Sequence, residues 1–196
     1  MSFHGKGGVM HEAPSIRTSR LVLRPWRSSD FEPFAAMNAD PRVREFFPSL
    51  LTREQSDATI ERVIEEFKSQ GFSWWAVEVI DVAPFIGFIG LAVPRFEAHF
   101  MPCVEIGWRI AFEHWGHGYA TEGARAALEF GFDRLQFPEI VSFTTPGNQR
   151  SRRVMEKIGM THSASDDFDH PSIKPEDRLC RHVLYRMTRE QWDDLK

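Results

Sequence analysis

A change of hydrophobic period near residue 115 constrains the fold of this chain more than any other feature. Over residues 104–110, apolar side chains fall on every second position, which is the period of a half-buried β-strand. Over residues 120–131, small and apolar side chains recur every three or four positions, which is the period of one helix face. The link between these patterns contains Gly116 and Gly118. The sequence therefore predicts a strand, a tight glycine turn and a helix in direct succession.

A strand, a glycine turn and a helix N-terminus together form a favourable place for an anion. The N–H groups of the turn point at a ligand, the helix dipole favours negative charge, and glycine lets the backbone come close. The turn by itself leaves two interpretations open: a phosphate site, or a turn that only connects two elements.

The glycines do not match the common nucleotide-binding motifs. The dinucleotide fingerprint needs a third glycine inside a parallel βαβ unit, and here Thr121 stands at that position. No Gly-Lys-Ser/Thr loop follows a strand, and the "GKGG" at residues 5–8 has no strand before it and no helix after it. An oxidoreductase remains an alternative, which tight binding of NAD would support.

The composition is that of one globular domain in a reducing compartment. The chain has 196 residues, of which 42% are hydrophobic and 27% charged, and these are ordinary values for such a domain. A net charge of −4 argues against nucleic acid as a partner. The longest apolar run, residues 82–94, is too short and too interrupted by Pro and Gly to span a membrane. With Cys103 and Cys180 as the only cysteines and no secretion signal in the sequence, we expect a cytoplasmic location without a disulfide.

Periodicity and turn residues divide the rest of the chain into further elements. Residues 1–14 lack any period and are predicted to be a flexible tail, and residues 15–196 a single domain. The clearest helix has a capping box of Thr52 and Gln55 at its start and Gly71 at its end. Helices are also predicted at residues 28–40, at residues 148–159, in the alanine-rich segment after the glycine turn and near the C-terminus; strands are predicted at residues 18–26, 73–80, 85–93, 104–110, 139–145 and 181–188. Short links within residues 73–110 predict an antiparallel meander there.

Four segments in this order resemble the GNAT acetyltransferase superfamily, and within it the RimJ/RimL-like branch. They are "TSRLVLRPW", "VEIGWRIAFEHWGHGYATEGARAALEFGF", "GNQRSRRVMEKIGM" and "RHVLYRMT", and the resemblance covers about residues 17–188. The family signature Q/R-x-x-G-x-G/A falls on residues 115–120, where Trp115 replaces the usual Gln or Arg, as in many chains of that branch. The resemblance implies a mixed α+β fold. Its central, mostly antiparallel, twisted sheet has about seven strands, is flanked by helices and contains a splayed strand pair at the cofactor site.

The resemblance also implies that acetyl-CoA is the co-substrate. Its pyrophosphate would bind the backbone at the turn, which comprises Gly116, His117, Gly118, Tyr119, Ala120 and Thr121. Its pantetheine arm would pair with the backbone of Trp108, Arg109 and Ile110 and with the side chain of Asn148, beside Ser151. The cationic residues Arg150, Arg152, Arg153 and Lys157 would raise the local potential for the 3′-phosphate.

Direct transfer of the acetyl group to a primary amine needs a base and no acyl-enzyme. Glu105, at the position where several family members place a glutamate, is the first candidate for the base, with His114 or water as alternatives. Many family members use a tyrosine as the acid seven residues after the asparagine, but Met155 stands there, so Ser151 is the candidate acid. No spacing of His and Cys residues predicts a metal site.

The acceptor amine is the least determined part of the prediction. The branch acetylates protein N-termini as well as small amines, and the acidic loop at residues 163–178 could attract a cationic acceptor or be a solvated surface. A homodimer is possible. The alternative function is a non-catalytic acetyl-CoA or nucleotide-binding domain that regulates a partner, and it would need neither a base nor an acceptor pocket.

Overall fold

The computed structural model of the protein describes residues 13–196. Most of the predicted tail, residues 1–12, lies outside the described residues. Its last two residues are held against the fold, since Ala13 packs on the core and the Pro14 carbonyl accepts a 2.7 Å hydrogen bond from the Trp75 indole.

The fold contains nine strands and five α-helices in the described part of the chain. The strands are β1 (Ile16–Arg17), β2 (Leu21–Arg24), β3 (Trp74–Val79), β4 (Ala83–Ala92), β5 (Glu105–Ile110), β6 (Glu139–Thr144), β7 (Thr161–His162), β8 (Phe168–Asp169) and β9 (Arg181–Thr188). The helices are α1 (Phe31–Asn38), α2 (Arg53–Gln70), α3 (Tyr119–Glu129), α4 (Gln149–Lys157) and α5 (Arg189–Asp194). A 3₁₀ turn at Ser28–Asp30 precedes α1, and a π-helical turn at Phe130–Arg134 follows α3.

The sheet is open and mostly antiparallel, as predicted. Its order is β1-β2-β3-β4-β5-β6-β9-β7, and β8 pairs with β9. All neighbours are antiparallel except β5 and β6, which run parallel. The sheet has nine strands rather than about seven because three strands of two residues each, β1, β7 and β8, add to the six longer ones.

Helix α2 begins and ends where the sequence predicts. The Thr52 hydroxyl accepts from the Gln55 N–H at 3.3 Å, and the Gln55 side chain accepts from the Thr52 N–H at 2.9 Å. Gly71 ends the helix with φ of 82°, a left-handed conformation that suits glycine. The capping box and the glycine stop are both confirmed.

The helices cover opposite faces of the sheet. Buried alanines of α3 pack with Ile106 and Ile110 in the largest core cluster. Close packing explains Gly123 in this helix, because a Cβ there would lie 2.4 Å from Ile89 Cδ1. Phe34 and Met37 of α1 and Ile60 of α2 instead pack with Phe88 in a second cluster, on the other face, while Val63 and Phe67 near the end of α2 belong to the first cluster. Strand β5 therefore has one face toward α3 and one face toward α1 and α2.

Candidate active site

The glycine turn has the backbone conformation of an anion site. Gly116 and Gly118 have φ of 82° and 80°, and Gly118 is the N-cap of α3 without a side-chain cap. A Cβ at Gly116 would meet no atom within 4 Å, so the space above the turn is open. Both glycines allow the turn to present its backbone to a ligand.

The N–H groups of this turn are free to donate. The backbone hydrogen bonds stop at the Trp115 N–H, which donates to the Phe112 carbonyl. They resume at the Glu122 N–H, which donates to the Gly118 carbonyl. Within residues 13–196, no backbone carbonyl outside the helix accepts from the N–H groups of residues 116–121. Unpaired N–H groups at a helix N-terminus stabilise negative charge, so the turn can hold a phosphate.

An arginine far away in the sequence holds the turn in place. Arg20 donates from Nη1 to the His117 carbonyl at 3.0 Å and from Nε to Glu122 Oε2 at 2.7 Å. Its Nη2 would lie 3.6 Å from a Cβ at Gly118. Sequence patterns did not indicate this residue because the contact joins positions about a hundred residues apart. Arg20 brings a positive charge to the edge of the turn.

The strands β5 and β6 separate after one pair, which confirms the predicted splay. Glu105 opposite Val141 is the single register pair, with the Val141 N–H donating to the Val104 carbonyl at 2.9 Å. One step further, the Ser142 hydroxyl rather than a backbone group donates to the Ile106 carbonyl, at 2.9 Å. Beyond that point a gap opens between the strands.

The strand geometry decides which backbone groups face the gap. The Ala111 N–H donates to the Ile86 carbonyl in β4, so by antiparallel alternation the backbone of Arg109 also faces β4. The backbone groups of Trp108 and Ile110 face the gap instead, and the Ile110 carbonyl accepts from the Trp115 indole at 2.7 Å. Of the three strand residues predicted to pair with pantetheine, Trp108 and Ile110 have the required orientation, whereas the Arg109 backbone does not.

Glu105 lies at the point where the strands diverge, on the face toward α1 and α2. A Cβ at Gly107 would lie 3.9 Å from Glu105 Oε1 and 3.9 Å from the Trp74 indole nitrogen. Glu105 has no hydrogen bond or ion pair within the described residues, and burial raises its pKa to about 8. A carboxyl group with such a pKa is suited to accept a proton near neutral pH.

The side chain of Arg109 projects from the same face. Its Nη1 donates to Asn38 Oδ1 at 2.7 Å, and its guanidinium stacks on Phe47 at 4.2 Å. Burial, and secondly the nearby Arg44 guanidinium, lower the pKa of Arg109 to about 9. The family resemblance indicated only the backbone of Arg109, not its side chain.

Asn148 and Ser151 form the opposite side of the gap. The Asn148 carboxamide caps α4 by accepting from the Ser151 N–H at 3.2 Å and donates to Thr144 Oγ1 at 2.9 Å and to Ser151 Oγ at 3.1 Å. Because Ser151 Oγ accepts from Asn148, its own proton is available to a ligand. Met155 is buried and carries no proton to donate.

The two histidines of this region differ in position. His114 is half-buried in a 3₁₀ turn, Phe112–His114, beyond the end of β5. His117 is exposed within the glycine turn and stacks on Tyr119 at 5.4 Å. Across residues 13–196, no three His, Cys, Asp or Glu side chains are placed to hold a metal ion.

Two of the predicted cationic residues of α4 have partners within the chain. Arg150 forms an ion pair with Glu45 at 2.6 Å and stacks over Trp115 at 4.4 Å, so it links the segment after α1 to the turn region. Arg152 donates to the Tyr185 hydroxyl at 3.2 Å. These contacts limit their availability for a 3′-phosphate.

Most carboxylates of the acidic loop have a partner within the chain. Asp166 pairs with Arg186, Asp167 with His162 and Asp169 with Arg181, while Asp177 accepts from the Leu179 N–H. Paired carboxylates of this kind stabilise the loop rather than attract a cation.

Comparison with known proteins agrees with this geometry. The family model of the acetyltransferase (GNAT) domain matches residues 20–161. The chain belongs to the GNAT acetyltransferase family. It is 30% identical over 188 residues to the FsC-acetyl coenzyme A-N(2)-transacetylase of Aspergillus fumigatus, with 91% of this chain and 78% of that protein covered.

Solved structures share the fold of this GNAT acetyltransferase. The acetyltransferase from Agrobacterium tumefaciens str. C58 aligns with a TM-score of 0.72 at 26% identity, covering 93% of this chain and 99% of that one. The ribosomal-protein-S5-alanine acetyltransferase from Vibrio fischeri aligns with a TM-score of 0.72 at 16% identity, covering 91% of this chain and 98% of that one. This similarity of fold agrees with the RimJ/RimL-like resemblance.

The predictions of family, fold and enzyme class are therefore confirmed: the protein is an acetyl-CoA-dependent acyltransferase. The residues present fit this co-substrate. The free N–H groups of the glycine turn suit its pyrophosphate, and the gap-facing backbone of Trp108 suits its pantetheine amides.

Proposed function

We propose that this enzyme transfers the acetyl group of acetyl-CoA directly to a primary amine, with Glu105 as the general base. The observation that carries the proposal is the position of Glu105, which is unpaired within the described chain, has a pKa raised to about 8 and lies beside the open space above Gly107. A base must reach the amine and must be able to release its proton afterwards, and this environment favours both.

Acetyl-CoA supplies a thioester carbonyl and a thiolate leaving group. Residues of this chain supply the base, the donor to the developing negative charge and the hydrogen-bond donor to the sulfur. Glu105 takes a proton from the ammonium form of the acceptor, so that a neutral amine attacks the carbonyl carbon, and the gap-facing N–H of Trp108 donates to the oxygen on which negative charge develops. As the C–S bond breaks, the Ser151 hydroxyl donates a hydrogen bond to the departing thiolate, and the second proton of the acceptor nitrogen reaches this sulfur through Ser151 or through solvent.

Cofactor binding in this proposal uses the residues predicted from the sequence, except for the Arg109 backbone. The turn residues Gly116, His117, Gly118, Tyr119, Ala120 and Thr121 bind the pyrophosphate, with Arg20 as an added cation. Trp108, Ile110 and Asn148 contact the pantetheine arm.

Two comparisons support an amine acceptor. One relative is named as an N(2)-transacetylase and one structural neighbour as an alanine acetyltransferase of a ribosomal protein. We also infer a cytoplasmic location, because Cys103 and Cys180 are free, buried thiols. Within residues 13–196, no helix has the length and apolar character that crossing a membrane requires.

The test is acetylation of a broad panel of amines and peptides by the purified enzyme. Release of free CoA thiol, matched by mass-spectrometric detection of the N-acetyl product, is the expected result. Binding of acetyl-CoA with no turnover across the panel would instead support the non-catalytic regulatory domain.

A further inference from the structure

Two buried side-chain atoms have no hydrogen-bond partner within residues 13–196, and both belong to the strands that diverge at the active site. They are Nε of Arg109, in β5, and Oγ1 of Thr145, directly after β6. Thr145 is 3% exposed. A buried donor without a partner is costly, so each such atom in a native protein calls for an explanation.

The two atoms lie on the two strands that border the gap. Strands β5 and β6 run parallel from the pair of Glu105 and Val141. Arg109 lies four residues after Glu105 in β5, and Thr145 lies four residues after Val141, directly after β6, so the two residues flank the gap from its two sides. Because side chains alternate with a period of two, both project from the face that carries Glu105.

The guanidinium groups beside Phe47 are not paired with a carboxylate of the described residues. The ring of Phe47 lies against two guanidinium groups, Arg44 at 4.4 Å and Arg109 at 4.2 Å. Neither arginine forms an ion pair with the described residues, since Arg44 donates to the Ser49 carbonyl and Arg109 to the neutral Asn38 side chain. Two enclosed cations without a carboxylate favour an anion from outside.

The segment after α1 encloses the same place. Phe47 is 36% exposed and covers Arg109 from the solvent side. Its neighbour Phe46 reaches Gly147 in the loop that follows Thr145, where an added Cβ would lie 3.5 Å from the Phe46 ring. The two phenylalanines thus extend from one side of the gap to the other.

We propose that the acceptor carries a carboxylate, which binds Arg109 and Thr145 while its amine lies beside Glu105. This inference rests on the proposed N-acetyltransferase function and specifies its substrate class as amino acids and related amino-carboxylates. The unused Nε and Nη2 edge of Arg109 matches the two oxygens of a carboxylate, and the Thr145 hydroxyl donates one further hydrogen bond.

The experiment compares free amino acids with their primary carboxamides. The Cα atoms of Glu105 and Arg109 are about 13 Å apart along the strand, and both side chains are long, so the panel includes compounds with one to about four carbons between amine and carboxylate. Each pair is assayed by thiol release and by the melting temperature of the CoA-loaded enzyme. The second readout reports binding without turnover.

The variants are Arg109→Met, which removes the charge, and Thr145→Val, which removes the hydroxyl at constant shape. The exposed Arg42, which stacks on Phe112, provides the control Arg42→Met. The parent enzyme is expected to prefer the acid by about 10- to 100-fold in kcat/KM, the range for one charge-assisted contact. Arg109→Met is expected to reduce this ratio to about one and Thr145→Val to reduce it by about fivefold, with the control unchanged.

The outcomes distinguish the carboxylate site from the proposed N-acetyltransferase function. If amines are acetylated with no preference for acids, or if Arg109→Met keeps the preference, the carboxylate site is wrong and the N-acetyltransferase stands. If acids raise the melting temperature of the parent but not of Arg109→Met, and nothing is acetylated, the carboxylate site stands and the proposed function fails. If no compound binds or reacts, both fail.

Discussion

The carboxyl group of Glu105 and the indole nitrogen of Trp74 lie on two sides of the same open position above Gly107. A Cβ at Gly107 would be 3.9 Å from each of them. These are ordinary van der Waals distances, so a methyl group fits there without moving the fold. In the proposed function, the acceptor amine stands at this position when it reaches Glu105.

We expect Gly107→Ala to fold normally but to acetylate poorly. Alanine stabilises a strand relative to glycine by about 0.5 to 1 kcal/mol, so the melting temperature should be equal or slightly higher. The added methyl group occupies the place of the amine, so kcat/KM for the acceptor should fall by about tenfold or more while the Kd for CoA stays unchanged.

The matched control is Gly90→Ala in the neighbouring strand. A Cβ there would lie 2.4 Å from the Ser73 carbonyl oxygen, so this variant should lose stability. Unchanged acceptor kinetics in Gly107→Ala would mean that the amine does not bind above this glycine.

The free energy of unfolding should depend on pH because the pKa of Glu105 differs between the folded and the unfolded chain. Burial raises its pKa in the folded state from 4.5 to about 8. Below pH 4.5 the group is protonated in both folded and unfolded chains, and above that value the unfolded chain gains more from ionisation. Stability is therefore lost as the pH rises from about 4.5 to about 8.

Glu105→Gln removes this loss because glutamine does not titrate. At pH 9 we expect the variant to be more stable than the parent, on the order of 1 to 3 kcal/mol given the partial exposure of the side chain. Near pH 4.5 the two proteins should have similar free energies of unfolding. Denaturant titrations at both pH values measure the difference, and parallel stability curves would show that the pKa of Glu105 is not raised.

Gly118→Asp should prevent CoA binding, with Gly118→Asn as its control. Both replacements share the strain of a side chain at φ of 80°, about 1 kcal/mol and smaller for Asp and Asn than for other residues. Only the aspartate adds a charge that repels the pyrophosphate and attracts Arg20, whose Nη2 would lie 3.6 Å from the new Cβ.

Calorimetric titration with CoA, with a thermal melt on each variant, compares the two. The expected Kd rises by about 100-fold or more for aspartate and by less than about tenfold for asparagine. Equal affinity of both variants and the parent would remove the phosphate-binding role of this turn.

Ser151→Ala should lower kcat with little effect on CoA binding. The hydroxyl accepts from Asn148 at 3.1 Å, and its proton is free to assist the departing thiolate. We expect a fall in kcat of about tenfold, below the range for a full general acid because a thiolate leaves readily by itself. The control is the exposed Ser163, whose replacement by alanine should change nothing. Unchanged turnover in Ser151→Ala would exclude this residue from the mechanism.

Local patterns predicted most of the fold. The ends of α2 followed from Thr52, Gln55 and Gly71 because caps act within one turn of chain. Strand β9 was predicted at its observed bounds, Arg181–Thr188, since its alternation is continuous. The two-residue strands β1, β7 and β8 were missed because two residues carry no periodicity.

The long-range contacts around the site could not be predicted in the same way. Arg20 reaches His117, and Arg109 reaches Asn38, across about 97 and 71 positions of sequence. Such contacts arise from the sheet order, which local spacing does not reveal. The ion pairs of the acidic loop with Arg186 and Arg181 also form only once the chain is folded, so the sequence left both interpretations of this loop open.

The most direct test of the account is the pH–rate profile of Glu105→Gln at saturating acetyl-CoA and acceptor. The parent kcat should rise with pH through about 8, where Glu105 loses its proton. The variant should lose about 10²- to 10⁴-fold in kcat near neutral pH. The difference in kcat between the parent and the variant should decrease toward pH 10, because more of the amine is already neutral in solution and the base is needed less. A variant that keeps the kcat and the pH profile of the parent would contradict the central claim that Glu105 is the base of this N-acetyltransferase.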